Sequence, residues 1–247
     1  MISLLSEEEL TYIKKAGHVL KECFALISEE IREGISTKSL EDKAHDFIVS
    51  RGAKAAFRGY KGYPASICVS RNNVVVHGIP SVKETLKKGD IISIDMGAEV
   101  NGCFADSART YSVGGISNEA ERLISVTREA LYKGIEQAKH GNHVQDISWG
   151  IQSFVEARGY NVVRAFVGHG IRRRIHEEPE IPNFGQPRHG KVLEDGMVLA
   201  IEPMVNIGTS DVNILEDGWT AVTKDGQLSA HFEHTVIVKG ENAEIVT

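Results

Sequence analysis

The sequence predicts an α+β domain: an antiparallel β-sheet core with outer helices, built from two pseudo-symmetric halves. Four capped amphipathic segments alternate with short β-prone runs. The composition, 41% hydrophobic and 25% charged over 247 residues, is typical of a globular protein with a sizeable core. A weak internal repeat relates the first half to the second. We therefore expect a single domain over residues 1–247.

Helix starts and stops are predicted from capping residues. Ser6 and Glu9 form a capping-box pattern ahead of an apolar periodicity that ends at Gly34. The other three starts rest on Thr, Asn and acidic or amide residues. The predicted helices run from Leu10 to Ile31, from the Thr37 cap to Gly52, from the Asn118/Glu121 start to near Gly141, and from the Asn142/Gln145 start to near Gly159.

Strands are predicted where short runs of β-branched and apolar residues lie between these helices. They are 67–70, 74–77, 90–95, 103–111, 161–167, 197–205 and 231–238. Residues 76–79 (VHGI) echo 168–171 (GHGI), and 91–95 (IISID) echo 198–202 (VLAIE). Each half thus offers a histidine followed by an apolar strand that ends in a carboxylate. This order predicts a pseudo-twofold duplication with a site at the junction of the halves.

Composition excludes several classes of protein. The net charge of −6 gives no overall attraction to nucleic acid or anionic membranes, so neither DNA nor a membrane is an expected partner. Cys23, Cys68 and Cys103 are widely spaced, which argues against a disulfide framework and a structural zinc site. The N-terminal residues show no export signal, so we expect a soluble, cytoplasmic protein. We also expect a monomer. Phosphate-binding, serine-hydrolase and His-Glu-x-x-His motifs are missing.

Two carboxylates are predicted to converge on one hairpin. Asn101-Gly102 favours a type I′ turn, which requires positive φ at both positions. In that register Val100 pairs with Cys103, Asp95 faces Ala108, and Asp106 faces Gly97. Because side-chain direction has a period of two, Asp95 and Asp106 lie on the same face as diagonal neighbours.

The same pattern recurs downstream, where Glu202 ends an apolar run and Glu233 interrupts another. A buried, unpaired carboxylate is costly, so a cation must lie nearby. Either Asp alone could simply cap a turn or meet an arginine, for which Arg109 is a nearby candidate, and a lone Glu could be a surface residue of an edge strand. Four such acids with His169 in a Gly-rich turn favour a paired metal site. Oxygen-rich ligation with one imidazole suits Mn²⁺, Fe²⁺, Co²⁺ or Zn²⁺.

These residues also carry a family resemblance. The series Asp95, Asp106, His169, Glu202 and Glu233, with HGIP at 77–80, HEEP at 176–179 and EPM at 202–204, resembles type I methionine aminopeptidase over essentially the whole chain. The resemblance implies the pita-bread fold, with two divalent metal ions in a central cleft. It also implies a catalytic domain that removes the initiator methionine from nascent proteins and peptides with a small second residue.

Residue roles follow from the resemblance alone. It implies that Asp106 and Glu233 bridge both metals, that Asp95 binds one, and that His169 and Glu202 complete the other. A hydroxide bridging the metals would attack the scissile carbonyl, and Glu202 would move the proton. His77 and His176 correspond to two imidazoles that contact substrate near the scissile nitrogen and the carbonyl oxygen. The methionine slot corresponds to Tyr60, Tyr63, Cys68 and Trp219, for which ordinary core packing is the alternative.

The chain departs from the family pattern at a few positions. Arg172, Arg173 and Arg174 stand where glycines are usual at two positions, and Ile175 replaces a pocket aromatic. Phe57 stands where a smaller residue is common, and His231 where glutamine is. We expect the arginines to line the cleft mouth and attract acidic groups, including ribosomal RNA in a transient ribosome association. A solvated charged loop is the alternative.

Two other functions stay open on sequence. An X-Pro aminopeptidase or dipeptidase of the same fold shares the His-x₆-His-Glu spacing, but such enzymes tend to have Glu-Pro-Gly where this chain has Glu202-Pro203-Met204. A non-catalytic binding protein of the same fold would lack one or more metal ligands, whereas all five are present here.

Overall fold

The computed structural model describes residues 5–247, so residues 1–4 of the predicted domain lie outside the described part. Within it, four helices alternate with fifteen short strands. The helices are α1 Glu7–Glu30, α2 Thr37–Ser50, α3 Asn118–Ile135 and α4 Val144–Glu156. The strands are β1 Lys54–Ala55, β2 Cys68–Arg71, β3 Val74–Val76, β4 Ile91–Val100, β5 Cys103–Ser112, β6 Asn161–Val162, β7 Val167–Gly170, β8 Glu177–Pro182, β9 Val198–Ile201, β10 Met204–Asn206, β11 Val212–Ile214, β12 Ala221–Thr223, β13 Ser229–His231, β14 Glu233–Lys239 and β15 Asn242–Ile245.

The strands form one large sheet and two small ones, and every paired strand runs antiparallel to its neighbour. The nine-stranded sheet has the order β1-β4-β5-β14-β9-β7-β8, with β2 also on β4 and β15 also on β14. The small sheets are β13-β10-β6 and β11-β12-β3. The predicted α+β architecture with an antiparallel core is therefore present.

The observed helix caps confirm one predicted helix start, and the other three starts differ from the prediction by one residue. Ser6 caps α1, since its hydroxyl accepts the Glu9 N–H at 3.2 Å while the Glu9 carboxylate accepts the Ser6 N–H at 3.0 Å. Two caps lie one residue earlier than predicted, at Ser36 and Ser117 instead of Thr37 and Asn118. The cap of α4 lies one residue later than predicted, at His143 instead of Asn142. None of the helices within residues 5–247 has the length and apolarity that a membrane crossing requires.

The α2 start shows why the prediction was off by one. The Ser36 hydroxyl accepts the Ser39 N–H at 3.1 Å, as an N-cap must. The Thr37 hydroxyl instead donates to the Ser81 carbonyl at 3.1 Å, 44 residues away. Ser36 and Thr37 could both cap the helix, and the tertiary contact of Thr37 decides that Ser36 does so. The local sequence does not contain this information.

Three predicted strands are each divided in two. The runs 161–167, 197–205 and 231–238 are interrupted in the structure, the second at Glu202-Pro203 and the third at Phe232. Pro203 has no N–H to donate to a ladder. The strands β1, β8, β11, β12 and β15 were not predicted, because they are short or polar.

The predicted hairpin register is confirmed. Val100 pairs with Cys103, Gly97 with Asp106, and Asp95 with Ala108. At the turn, Asn101 and Gly102 have φ values of 49° and 76°. The turn chemistry therefore decides which side chains share a face of β4 and β5.

Two large apolar cores position the site. The first core packs α1 and α2 against β2, β4 and β5, with Phe24, Ile48 and Ile94 fully buried. The second packs α3 and α4 against β9 and β14, with Leu123 and Ile151 fully buried. A smaller junction cluster, which includes Phe57, Tyr63, Cys68, Ile171 and Ile175, draws residues from both halves.

The hairpin turn yields a stability prediction. Gly102 is in the left-handed region, and no described atom lies within 4 Å of the place that a Cβ would take, so Gly102→Ala meets backbone strain and no steric clash. We expect the free energy of unfolding to fall by about 1–2 kcal/mol, measured by urea denaturation. Gly115→Ala is the matched control, since Gly115 has equal space and lies outside that region. It should be neutral or stabilise by up to about 1 kcal/mol. Equal losses for both variants would contradict this account of the turn.

Candidate active site

A cavity of about 280 Å³ borders the junction cluster. Its wall contains all eleven residues that the sequence predicted for the site. These are Tyr60, Tyr63, Cys68, His77, Asp95, Asp106, His169, His176, Glu202, Trp219 and Glu233. Residues more than 170 positions apart in the chain are thus brought to one place.

The acidic side chains converge because of strand register. Asp95 on β4 and Glu233 on β14 both pair with Ala108, which lies on the strand between them. Directly opposed residues of an antiparallel sheet point to the same face, and Asp106 shares that face two residues before Ala108. The small side chain of Ala108 leaves the space between the three carboxylates open.

The donor set fits divalent metal. Three potential ligand atoms lie within 4.8 Å of one another, one each from Asp106, His169 and Glu233. Asp95 Oδ1 and Glu233 Oε1 are buried with no hydrogen-bond partner among residues 5–247. Burial of an ionised oxygen without a partner is costly, and a cation bound by these oxygens would offset that cost.

Arginine does not supply that cation for Asp95. The Arg109 guanidinium, the ion-pair alternative raised by the sequence, lies 4.6 Å from the centre of the Phe24 ring. Arg109 and Asp95 are not ion-paired with each other among the described residues. The ion-pair interpretation of Asp95 is therefore wrong.

The carboxylates have strongly perturbed acidities. Burial raises the pKa of Asp106 to about 7. Burial, together with the nearby Asp106 carboxylate, raises the pKa of Asp95, Glu202 and Glu233 well above their usual ranges. Four like charges in one buried space cannot all be ionised at neutral pH unless a positive charge offsets them.

A backbone hydrogen bond leaves one ring nitrogen of His169 free to bind metal. Its Nδ1 lies 3.0 Å from the Gly170 carbonyl oxygen, which can only accept, so the proton is on Nδ1 and Nε2 keeps its lone pair. Burial, and secondarily His176, lowers the pKa of His169 to about 3, so the ring is neutral. Nε2 lies 3.5 Å from Glu202 Oε1.

Two further imidazoles line the cavity. His77 has φ of 61° and packs edge-on against Phe166 and Trp219, at ring distances of 5.3 and 6.3 Å. His176 stacks on Tyr60 at 5.1 Å, and its Nδ1 lies 2.9 Å from the Tyr60 hydroxyl oxygen. Burial lowers the pKa of both histidines to about 4, so both are neutral at physiological pH.

The apolar part of the cavity contains the predicted slot residues. The Tyr63 ring packs edge-on against Trp219 at 5.1 Å, and the Tyr63 hydroxyl donates to the Gly78 carbonyl at 2.9 Å. Cys68 is 4% exposed, and burial raises the pKa of its thiol well above the usual range, so the sulfur behaves as a small apolar group.

Sequence reasoning missed part of the wall. Phe57 was noted only as a departure from the family pattern, and Lys61, Val76 and 165–167 were not named as site residues. The 165–167 segment directly precedes Gly168-His169, and this adjacency is the one signal that could have identified it.

The arginine segment lies at a second depression and is not in the central cavity wall. Arg172, Arg173 and Arg174 share that depression with Glu177 and Glu178. Arg173 Nε donates to Glu9 Oε1 at 2.6 Å, which joins the segment to the start of α1. Glu177 Oε1 accepts the backbone N–H groups of Arg173 and Arg174, each at 2.9 Å. Acidic side chains therefore offset much of the local positive charge.

Phe57 and Ile175 occupy adjoining space beside Gly97. A Cβ at Gly97 would lie 2.9 Å from Phe57 Cε1 and 3.0 Å from Ile175 Cδ1. Ile175 is 2% exposed and Phe57 lines the cavity. The larger residue at 57 therefore fills space beside the smaller one at 175.

The chain is similar to metallopeptidases over almost its whole length. The profile of metallopeptidase family M24 matches residues 11–240. Methionine aminopeptidase from Clostridium perfringens is 53% identical over 247 residues, covering 100% of this chain and 99% of the relative. Methionine aminopeptidase 1 from Bacillus subtilis is 47% identical with the same coverage. The crystal structure of methionine aminopeptidase from Thermotoga maritima is 44% identical, with a TM-score of 0.98 and coverage of 100% and 99%.

The chain belongs to metallopeptidase family M24 and has its pita-bread fold. Within that family its full-length relatives are methionine aminopeptidases. Xaa-Pro dipeptidase from Bacillus anthracis is 23% identical with a TM-score of 0.78, and this chain spans 61% of its length. That likeness shows the fold alone.

The donor set predicts that metal stabilises the protein. After chelator treatment, Mn²⁺ at about 100 times its Kd should raise the free energy of unfolding by about 2.7 kcal/mol. Asp106→Asn should abolish most of this gain, measured by thermal denaturation and calorimetric titration. Asp90→Asn is the control, because Asp90 is a buried acid already bonded to Asn72 at 2.8 Å. A full metal response in Asp106→Asn would contradict the assignment.

The raised pKa values of these carboxyl groups give metal binding a pH dependence. Protons and metal compete for the same oxygens, and the pKa of Asp106 lies near 7 with its neighbours also raised. Apparent Mn²⁺ affinity should therefore increase from pH 6 to pH 8, with protons released on binding. Titration in buffers of different ionisation enthalpy measures the release. Affinity that falls over this range would show that the carboxylates are not the ligands.

Proposed function

We propose that the chain is a metal-dependent methionyl aminopeptidase that removes the initiator methionine from nascent proteins and from peptides with a small second residue. Residues 1–247 act as one catalytic domain of two pseudo-symmetric halves, as a monomer in the cytoplasm. The observation that carries the proposal is a buried carboxylate–imidazole cluster at an aromatic-lined cavity of about 280 Å³. The full-length similarity to methionine aminopeptidases supports the choice of substrate.

Two divalent ions, Mn²⁺, Fe²⁺, Co²⁺ or Zn²⁺, are the proposed cofactors. Asp106 and Glu233 would be shared between them, Asp95 would hold one, and His169 with Glu202 would complete the other. The central position of Asp106 supports its shared role, since its charge acts on Asp95, Glu202 and Glu233 alike. When bound, such ions lower the pKa of a water molecule and polarise a carbonyl group.

The side chains around the cluster then have separate tasks. Glu202 accepts the proton of the attacking water and passes it to the leaving amine. The Tyr60 hydroxyl can donate to His176 Nδ1, which leaves the proton of the neutral ring on Nε2. That N–H donates to the substrate carbonyl oxygen as negative charge develops there. His77 contacts the scissile amide nitrogen.

The apolar slot accounts for methionine specificity. Tyr63, Trp219 and Cys68 offer aromatic edges and a buried sulfur, against which a thioether packs well. Tyr60 borders the slot and also holds His176. Because these side chains fill the wall, water is displaced when the methionine side chain enters.

The proposal predicts a substrate preference. Mn²⁺- or Co²⁺-loaded protein should release free methionine from Met-Ala-Ser and should leave Ala-Pro-Ser intact, measured by chromatography of the products. His176→Ala should lower kcat by about 10²–10³-fold, the usual effect of losing one donor to the developing oxyanion. His189→Ala is the control, since His189 is exposed and outside the cavity. Preference for Ala-Pro-Ser, or no cleavage of either peptide by metal-loaded protein, would overturn the proposal.

We also propose a transient association with the ribosome, where nascent chains emerge. The exposed side chains of Arg173 and Arg174 support it, because guanidinium contacts with RNA phosphates are salt-sensitive.

Co-sedimentation with ribosomes tests this association. Changing Arg173 and Arg174 together to Gln should weaken it several-fold and reduce its salt dependence. The control is the same change at Arg122 and Arg128, two exposed arginines of α3. Unchanged binding and salt dependence in the Arg173/Arg174 variant would exclude a role for this segment.

A further inference from the structure

Two neighbouring strand segments stop pairing over a few residues, and this interruption places Glu202 next to His231. Residues 198–206 and 229–239 pair twice, with Ile201 opposite His234 and Met204 opposite His231. Between these pairings Pro203 cannot donate, and the Phe232 N–H bonds to the Pro203 carbonyl at 3.3 Å. The regular alternation of side chains is interrupted here, and His231 lies beside the carboxylate of Glu202.

His231 is buried with an unsatisfied nitrogen. The residue is 2% exposed, and its Nε2 has no hydrogen-bond partner in the described part of the chain. Buried polar nitrogens in native proteins nearly always have a hydrogen-bond partner. The unpaired Nε2 therefore indicates a hydrogen bond to a neighbouring group that a small side-chain movement would complete. Glu202 Oε2 lies 3.6 Å from this nitrogen, a few tenths of an ångström beyond a normal hydrogen bond.

The two oxygens of Glu202 have different neighbours. Oε1 lies 3.5 Å from Nε2 of His169, the nitrogen left free by the Gly170 carbonyl. Oε2 lies on the His231 side. The Glu202 carboxylate, 13% exposed, is thus held between two buried imidazoles. Rotation of the carboxylate would exchange these environments.

We propose that His231 is a positioning residue whose Nε2–H donates to Glu202 Oε2 and fixes the rotation of that carboxylate, with Oε1 toward His169 and the metal ligands. This inference rests on the proposed function, in which Glu202 is both a ligand and the proton acceptor. His231 does not line the cavity, so it acts through Glu202 and not on substrate.

Two substitutions separate the hydrogen bond from packing. His231→Leu keeps apolar volume and removes the donor, whereas His231→Gln retains an N–H group. His234→Leu is the matched control, because His234 is also buried, flanks Glu233 on the other side, and bonds to Thr247 at 3.0 Å.

In His231→Leu we expect Mn²⁺ affinity, measured by calorimetric titration of the chelator-treated protein, to fall about 10–100-fold. The kcat for Met-Ala-Ser should fall by a similar factor with KM changed less than about threefold, and His231→Gln should recover most of both. His234→Leu should keep wild-type Mn²⁺ affinity. Wild-type affinity and kcat in His231→Leu, equal losses in His231→Gln, or the same losses in His234→Leu would each overturn the proposal.

A spectrum of the wild-type protein tests the same contact without substitution. Long-range ¹H–¹⁵N correlation of Zn²⁺-loaded protein should show His231 as the Nε2–H tautomer, and a bare Nε2 would overturn the proposal even if His231→Leu fails to fold. The Mn²⁺ and tautomer measurements do not depend on peptidase activity. Wild-type protein that binds Mn²⁺ without cleaving Met-Ala-Ser would therefore contradict the proposed function while leaving the role of His231 to be decided by these two readouts.

Discussion

Mutual repulsion among four buried carboxylates is the constraint on which the structure depends. Each acid lies at a different place in the chain, and each has been removed from most of its water. The free energy that holds them together comes from the two apolar cores, one on each side of the large sheet's centre. A site that opposes its own assembly in this way is completed only when positive charge enters it.

Rigid strands carry the acids, and hydroxyl side chains hold those strands in register. The Thr235 hydroxyl accepts the Asp106 N–H and donates to the Asp106 carbonyl, both at 2.8 Å, across 129 residues of sequence. The Ser107 hydroxyl donates to the Glu233 carbonyl at 2.8 Å. These bonds link β5 to β14 beside the two acids proposed to be shared. By contrast, His77 and His176 lie outside the regular strands and helices.

The sequence predicts the part of the site that local chemistry determines. The Asn101-Gly102 turn requires a defined register, so the shared face of Asp95 and Asp106 follows without tertiary information. The break at Glu202-Pro203 was missed although Pro203, which has no N–H to donate, is a local signal for it. The matching break at Phe232 has no such signal, because it depends on the bond of the Phe232 N–H to the Pro203 carbonyl. The position of Arg173 could not be predicted either, since its acidic partner Glu9 is 164 residues away. Roles for individual residues came from family resemblance, whereas their convergence is a property of the fold.

The crowding of Phe57 and Ile175 around Gly97 has a consequence for substitutions at these positions. The two side chains share a fixed volume next to a position with no room for a Cβ. Any side chain at position 97 would press on both Phe57 and Ile175, and a smaller residue at 57 alone would leave a void beside the central cavity. The effects of substitutions at 57, 97 and 175 on stability are therefore expected to be coupled, so that the change tolerated at one position depends on the residues at the other two.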